Sequence, residues 1–537
     1  MIITLFTALH GEVDIPLGLL YLAQLLIEHG HKVHVIDLNL YMNKSIDLSK
    51  FKQLKESDLI GFSSYRYTLS ADVSISWRIK SINDSIIVCG GWGPTLNPLL
   101  YLRYAPVDIV IPGVHMQAPK VLLSLAKCIE RGDDISKVKG IIYKKGNMII
   151  DNGLGEVPNN IPDIDWRVID RIGLELEKYI ENGILVVPIL GALASCPKYY
   201  SVPCIYCSIG RIIMEYRVVY AHEFSNVIRR LMHFDVSRIM RDIKRALIYF
   251  NEVLGSKLKR ISFTLVDDAV TPTNFIKFYD RLVDEGLMDD ISFIKFQTRP
   301  EYVPSIIKHI DRKYRTKFII DIGFEFFSER DLSFTRRGND SKIIINVLKE
   351  LKKRKVHWTG YVILATPISN TSDVRSNIEL ALDIAYNSDL LRCNPYILEE
   401  DTSIPLEYGW EVIRWKSIKL LGRKGSEKVK IPYRPRFLIS KGEIRNVLHV
   451  IDKYLDRIDK LRDKAYEEAY SLISERGELD LNDPINIVTR VYSLDELKRA
   501  LLKLKEALIE DYSVKENIKL FKNRSPSKPL SGEENEH

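Results

Sequence analysis

Residues 1–7 form a short apolar run. Residues 16–30 then repeat apolar side chains at helical spacing, through Leu19, Leu22, Ala23 and Leu26, until Gly30 stops the helix. Residues 32–37, 59–64, 86–90 and 108–112 read as further strands, with helical stretches such as 71–82 between them. Alternating strands and helices predict βαβ units, so the N-terminal part reads as an α/β domain with a flavodoxin-like or Rossmann-type parallel sheet. Ligands in such sheets sit outside the carboxyl ends of the strands. The loops at those ends, 7–14, 63–68, 90–94 and 113–118, are rich in Gly, Ser, Thr and His.

The pattern changes after about residue 129. Residues 140–150 predict a β-hairpin turning at Lys-Gly-Asn, and residues 159–166 a Pro- and Asp-rich connector. A second alternating series follows, with strands at 184–190, 260–265, 291–297, 318–325, 358–365 and 390–396 and helices such as 237–254 and 341–354. Six βα units predict a full or partial (β/α) TIM-type barrel, whose chemistry belongs at the C-terminal ends of its strands. Periodicity at 443–476 and 494–508 predicts a helical C-terminal region. The expected divisions are 1–135, a hairpin and connector at 136–182, the barrel at 183–420, helices at 421–522, and a disordered polar tail at 523–537.

Composition narrows the classes. The 537 residues are 46% apolar and 28% charged, which excludes a disordered chain, a collagen-like chain and a small disulfide scaffold. Lys+Arg 78 against Asp+Glu 71 leaves only +7, with no concentrated basic face, so nucleic acid is not an expected partner. The N-terminus lacks a basic n-region and a small-residue cleavage site, and no window offers about 20 uninterrupted apolar residues. A cytoplasmic protein is expected. In such a reducing compartment, six cysteines with three crowded together call for an explanation other than disulfides.

Those three are Cys196, Cys204 and Cys207, spaced C-x7-C-x2-C directly after the first barrel strand. Three thiolates without a near fourth suit a four-iron cluster with one iron open, whereas a closed zinc site wants four ligands. His222 and His233 are distant candidates for a fourth. A thiol-exchange pair at Cys204 and Cys207 and a loop of unrelated thiols are the other readings.

The order of segments resembles a radical S-adenosylmethionine (SAM) enzyme with an N-terminal cobalamin (B12)-binding-type domain. DIPLGLLYLAQLLIEHG, KVHVIDLN, SDLIGFSSY, IIVCGGWGPTLNP and VDIVIPGVHMQAP resemble the cobalamin-type domain. GIIYKKGNMIIDNG and NNIPDIDW resemble the family's hairpin and connector. The cysteine loop, ISFTLVDDAVTP, IDIGFEFFSERDLSFTRRG and YVILATPISNT resemble the radical SAM core. The match covers roughly residues 1–410, with two departures. The family's cysteine motif is C-x3-C-x2-C, and its acidic Gly-Glu-Gly-Glu loop is replaced here by Pro-Gly-Val-His-Met-Gln at 112–117.

The resemblance implies a [4Fe–4S] cluster on Cys196, Cys204 and Cys207, whose open iron takes the amino and carboxylate groups of SAM. Reduction then cleaves SAM, and a 5′-deoxyadenosyl radical abstracts hydrogen from an unactivated carbon. Tyr206 would lie beside the adenine, Asp267 and Asp268 would accept from the SAM ammonium, and Glu325 would supply a polar SAM contact. Arg336 and Arg337 could reach a carboxylate. Ser63, Ser64, Gly90, Gly91, Thr95 and Gly113 match the rim around cobalamin, with His10 and His115 as candidate lower cobalt ligands. The implied activity is cobalamin-dependent methylation, or a related C–C bond-forming or ring-forming reaction, on a small-molecule or lipid substrate. A ferredoxin or flavodoxin would donate the electron. The lack of a second cysteine triplet argues against a methylthiotransferase. The amphipathic stretch 443–476 either packs on the core or makes peripheral contact with a membrane carrying a lipid substrate. The alternatives are a non-catalytic Fe–S electron carrier or sensor, or a zinc-stabilised binding module.

Overall fold

In a computed structural model the chain is described over residues 1–7, 9, 13–41, 47–65, 68–113, 117–158, 160–192, 196–212, 233–354, 356–397, 414–422, 425–433, 436–476 and 487–522. Two seven-stranded sheets organise it. In the first, β1 (Ile2–Phe6), β2 (Lys32–Ile36), β3 (Leu59–Ser63), β4 (Ile86–Gly91) and β5 (Ile109–Pro112) pair in parallel in the order β2-β1-β3-β4-β5. The strands are mostly apolar, as a sheet covered on both faces requires, with Lys32 and His34 confined to the edge strand β2. The helices Leu17–Glu28 and Gln117–Arg131 pack on one face, and Leu69–Ile82 with Pro98–Tyr104 on the other.

The expected hairpin exists as β6 (Ile142–Lys145) and β7 (Met148–Asp151), turning at Gly146 with φ +62°. It is not a separate module. Ile109 pairs with Tyr143 and Val110 with Ile142, so the hairpin extends the first sheet antiparallel beyond β5.

The second sheet runs β14-β13-β12-β11-β10-β9-β8. Its parallel strands are β9 (Ile184–Leu190), β10 (Arg260–Val266), β11 (Ile291–Thr298), β12 (Phe318–Glu325), β13 (His357–Ile363) and β14 (Leu390–Asn394). The short β8 (Ile180–Glu181) pairs antiparallel at the edge. Among the described residues nothing pairs β14 with β9, so of the two forms expected the structure takes the partial barrel. Phe263, Phe275, Phe296 and Phe318 are fully buried, and Phe275 meets Phe296 and Phe318 at 5.0 and 5.5 Å between ring centroids. The surrounding helices begin on side-chain caps at Asp235, Thr271, Ser328 and Asn370, each satisfying an otherwise orphaned N–H.

The connector fastens the sheets together. The Trp166 indole N–H donates to the Asp242 carbonyl at 3.2 Å, and the Ile164 N–H donates to the Asp242 carboxylate at 3.2 Å. Asp242 also holds Arg238 in an ion pair at 2.8 Å, with both side chains almost completely buried. Arg238 in turn donates to the carbonyls of Leu190 and Gly191 at the end of β9. Tyr179 reaches back to the first sheet and donates to Asp37 at 2.8 Å.

The long helices Lys441–Arg476 and Ile487–Lys522 pair with each other and cover the β14 edge. Ile444, Ile451 and Ile458 are fully buried, so the apolar stripe of 443–476 faces the core. No helix among the described residues is long and apolar enough to cross a membrane. One element was not expected. A hairpin of β15 (Arg414–Gly422) and β16 (Gly425–Tyr433) precedes these helices, so residues 421–522 are not wholly helical, and it packs against the helix Leu69–Ile82. The tail at 523–537 lies outside the described residues.

Candidate functional site

Two rims carry the expected residues. The first lies at the carboxyl ends of β3, β4 and β5. There the Ser64 N–H donates to the Gly90 carbonyl at 2.8 Å, and the Gly93 N–H to the Ser64 carbonyl at 3.0 Å. The Thr95 hydroxyl donates to the Gly91 carbonyl at 2.6 Å and accepts from the Gly113 N–H at 2.7 Å. Gly91 adopts φ +95°, and a Cβ there would stand 2.7 Å from the Ser64 carbonyl oxygen and 3.0 Å from the Ser63 hydroxyl. Only glycine suits both the conformation and that approach. Ser63, Ser64, Gly90, Gly91, Thr95 and Gly113 are therefore brought together.

Sequence reasoning missed what holds this rim from below. Ser64 and Thr68 both donate to Asp72, Thr68 at 2.6 Å, and Tyr101 meets the Ser64 hydroxyl at 2.8 Å. Burial pushes the Asp72 carboxyl up to about 7, with the two hydroxyls opposing it. Beside them, Thr7 donates to Asp37 at 2.7 Å and accepts from the Leu38 N–H at 2.9 Å. His10 and His115 lie outside the described residues.

The second rim follows β9. Cys196 caps a 3-10 turn, Pro197–Tyr200, whose four residues take up chain between the first two cysteines. The Tyr199 N–H donates to the Cys196 carbonyl at 3.0 Å, and the Cys207 N–H to the Cys204 carbonyl at 3.1 Å. Cys196 and Cys204 are buried at 8% and 6% exposure, Cys207 is half-buried, and all six cysteines are free thiols. Burial raises the Cys196 thiol, and pushes Cys207 up to about 12 against donation from the Gly210 N–H and Tyr199. Cys204 bears electrostatically on both other thiols. Among the described residues no three His, Cys, Asp or Glu side chains converge on one metal-sized point. In a cubane each thiolate takes its own iron, so its ligands stand apart. His233 is exposed, and His222 lies outside the described residues.

Around the thiols the structure gathers Tyr206, Glu325 and Arg337. The Tyr206 ring meets Phe326 edge-on at 5.9 Å, and Arg337, Glu325, Cys204 and Cys207 act on its phenol. Glu325 ends β12 at φ +66°, beyond a register shift after Gly323. Burial raises its carboxyl, while Arg337 and Arg299 pull it down. Arg337 is buried and donates to the Gly323 carbonyl. Arg336 is exposed and instead lines a cavity of about 300 Å³ with Lys198, Glu329 and Asn339. Asp267 accepts from the Ala269 N–H at 3.1 Å and lies against Gly191, and Asp268 acts on Tyr199 and Cys207. The helix after them is capped by Thr271 rather than by either aspartate.

Arg299 and Glu301, just past β11, were not singled out. Arg299 donates to Glu301 and, at 2.7 Å, to the Arg337 carbonyl. A charged residue between a strand end and Pro300 was the available signal. Asp331, behind this rim, accepts from Thr366, Ser369 and Asn377 at 2.7–2.8 Å, and burial pushes it up to about 6.

Comparison with known proteins bears on the first domain and on the fold. Residues 7–119 match the B12 binding domain family. An uncharacterized methyltransferase of Pyrococcus horikoshii, PH0819, is 24% identical over 385 residues, 70% of this chain and 75% of that protein. The radical SAM methyltransferase TsrM of Kitasatospora setae, solved with cobalamin and a [4Fe–4S] cluster, aligns with TM-score 0.55 at 12% identity. That alignment covers 83% of this chain and 88% of TsrM. The cobalamin-dependent SAM radical enzyme OxsB, with aqua-cobalamin and SAM bound, aligns with TM-score 0.54 at 14% identity over 95% of this chain and 83% of OxsB. The chain thus carries a B12-binding domain on its first sheet and has, overall, the fold of the cobalamin-dependent radical SAM enzymes.

Proposed function

We propose that this protein is a cobalamin-dependent radical SAM methyltransferase, or a related C–C bond-forming enzyme, acting on an unactivated carbon of a small-molecule or lipid substrate. The observation that carries this reading is the second rim. Three cysteines at the end of β9 lie beside Tyr206, Glu325 and Arg337, the positions at which the family's cluster and SAM contacts are expected. A pair of buried guanidinium groups there suits a group of net negative charge, as three thiolates on a four-iron core would be. At the first rim, glycines let the loops after β3, β4 and β5 close tightly on one another, which shapes the strand-end crevice in which such a sheet takes its ligand.

When bound, the cluster supplies the electron that cleaves SAM, and cobalamin supplies a carrier for a methyl group. The chain's own residues do the rest. Cys196, Cys204 and Cys207 hold three irons, and Tyr206 and Phe326 offer an aromatic wall for the adenine. Glu325, with Asp267 and Asp268 at the end of β10, accepts from the methionyl ammonium. Ser63, Ser64, Thr95, Gly90, Gly91 and Gly113 shape the cobalamin rim. The buried walls of both rims exclude water from a radical site. A ferredoxin or flavodoxin provides the electron.

The test is anaerobic reconstitution with iron and sulfide, reduction, and addition of SAM. Formation of 5′-deoxyadenosine or S-adenosylhomocysteine that depends on all three cysteines upholds the reading, and the second product favours methyl transfer. An intact cluster that cleaves no SAM, with substrate extracts supplied, moves the protein to the electron-carrier or sensor class. Zinc without sulfide moves it to the binding modules. Hydroxocobalamin titrated into the full chain separates the cobalamin-dependent enzyme from a cobalamin-free one.

A further inference from the structure

Arg299 and Arg337 form a buried cationic pair whose charge the surrounding protein does not fully use. They are 4% and 7% exposed. The Arg299 side chain donates to the Arg337 backbone carbonyl at 2.7 Å, and the Arg337 charge lowers Arg299's hold on its proton while Glu301 raises it. Burying one guanidinium group is already costly, and burying two within electrostatic reach of each other requires counter-charge. Glu301 supplies some to Arg299, and Glu325 lies against Arg337 over Gly323. Yet Nη1 of Arg299 and Nε of Arg337 are buried without a hydrogen-bond partner, as is one Glu301 carboxylate oxygen. Natural structures rarely leave charged N–H donors in that condition.

What lies next to them is the cysteine loop. Both guanidinium groups bear on Cys196, and Arg337 also interacts with Cys204. The Ile205 N–H donates to the Thr335 carbonyl at 3.2 Å, and the Cys204 thiol meets the Arg336 carbonyl at 3.9 Å. The backbone that carries Arg337 is thereby fastened to the backbone that carries the thiols.

We infer that Arg299 and Arg337 are positioning residues that set the reduction potential of the cluster on Cys196, Cys204 and Cys207, their charge favouring the more negative, reduced state. This rests on the function proposed above. A cluster on three thiolates gains one negative charge on reduction, and nearby positive charge in a low-dielectric site stabilises that product. Glu301, attached to Arg299, acts in the opposite sense and limits the effect.

The experiment is an EPR-monitored redox titration of the reconstituted full chain, without SAM, beside iron and sulfide analysis. Arg337→Met and Arg299→Met are each expected to lower the midpoint potential at unchanged iron content. Arg337→Lys should recover most of the loss, and Glu301→Gln should shift the midpoint upward. Opposite signs for arginine and glutamate variants are what a charge effect produces and a loosened loop does not. Midpoints at the wild-type value in both methionine variants overturn the inference, as do same-sign shifts in Arg299→Met and Glu301→Gln. If Arg337→Met fails to assemble a cluster, assembly by Arg337→Lys keeps a role for the charge, and failure of both assigns Arg337 to folding. A wild-type chain that binds no iron and sulfide overturns the proposed function itself and this inference with it. A wild-type cluster insensitive to the arginines overturns only the inference.

Discussion

The two rims solve the same problem differently. At the first, Asp72 is buried with its hydroxyl donors already in place, and Thr95 joins Gly91 to Gly113. The polar groups named there are spent on one another. At the second, buried cationic N–H donors have no partner, and the thiols of Cys196 and Cys204 lie within their electrostatic reach. A closed network gives a shaped, neutral surface, suited to a large ligand held by fit. An open, charged one is completed only by something anionic. The first rim should thus fail through loss of shape, and the second through loss of charge or ligand.

The largest expected effect is at the second rim. Cys204→Ala should remove the cluster and all SAM cleavage, read by iron content and by 5′-deoxyadenosine, with hydroxocobalamin binding retained. Loss of both cofactors together would erase the distinction between the rims. Next is the joint between them. Arg238→Met leaves Asp242 as a buried, uncompensated charge beside the connector, and should cost about 3–5 kcal/mol in urea unfolding. At the first rim, Gly91→Ala forces a Cβ onto the Ser64 backbone at positive φ. It should cost about 1–3 kcal/mol and weaken cobalamin binding while leaving the cluster intact.

The smallest effect is a pH dependence. Burial raises Asp72 to about 7 from its ordinary 3.8, so the folded state binds a proton that the unfolded state has released. Stability is therefore lost as pH rises through that window. Asp242 and Asp331, both raised to about 6, act in the same direction. The unfolding midpoint should fall between about pH 4 and 7, and Asp72→Asn should flatten part of the fall. A wild-type midpoint that rises over this range would contradict the placement of these carboxyls.

Much of this was legible in the sequence. Parallel strands buried on both faces are continuous apolar runs, so 184–190 and 318–325 were placed as they occur. The cysteine triplet declares itself by spacing. The β15–β16 hairpin was missed because Arg414, Lys416 and Lys419 interrupt any clean alternation, and because it joins neither main sheet. It lies against a helix more than 300 residues earlier, Leu69–Ile82, which no local pattern could announce. Arg299 was missed for a related reason. Nothing near it in sequence reveals that β12 and the segment after it bring Arg337 alongside. Asp72 carries no signal in the sequence, and only the fold reveals the two hydroxyls that donate to it.

The strand order of the second sheet has a consequence for how the chain is made. From β8 to β14 every strand pairs with the one synthesised just before it. As the polypeptide leaves the ribosome, each new strand has its template waiting, and no pairing must be held open for a distant partner. Each parallel pairing still spans a long crossover, Leu185 with Ile261 for example, so the order is sequential although each such pairing is slow to form. The cysteine loop emerges with β9, early in that order, but Arg299 and Arg337 arrive only with β11 and β12. The metal-binding loop is born before the charges that surround it, and nascent chains arrested before β11 would present these thiols to the cell without their arginines.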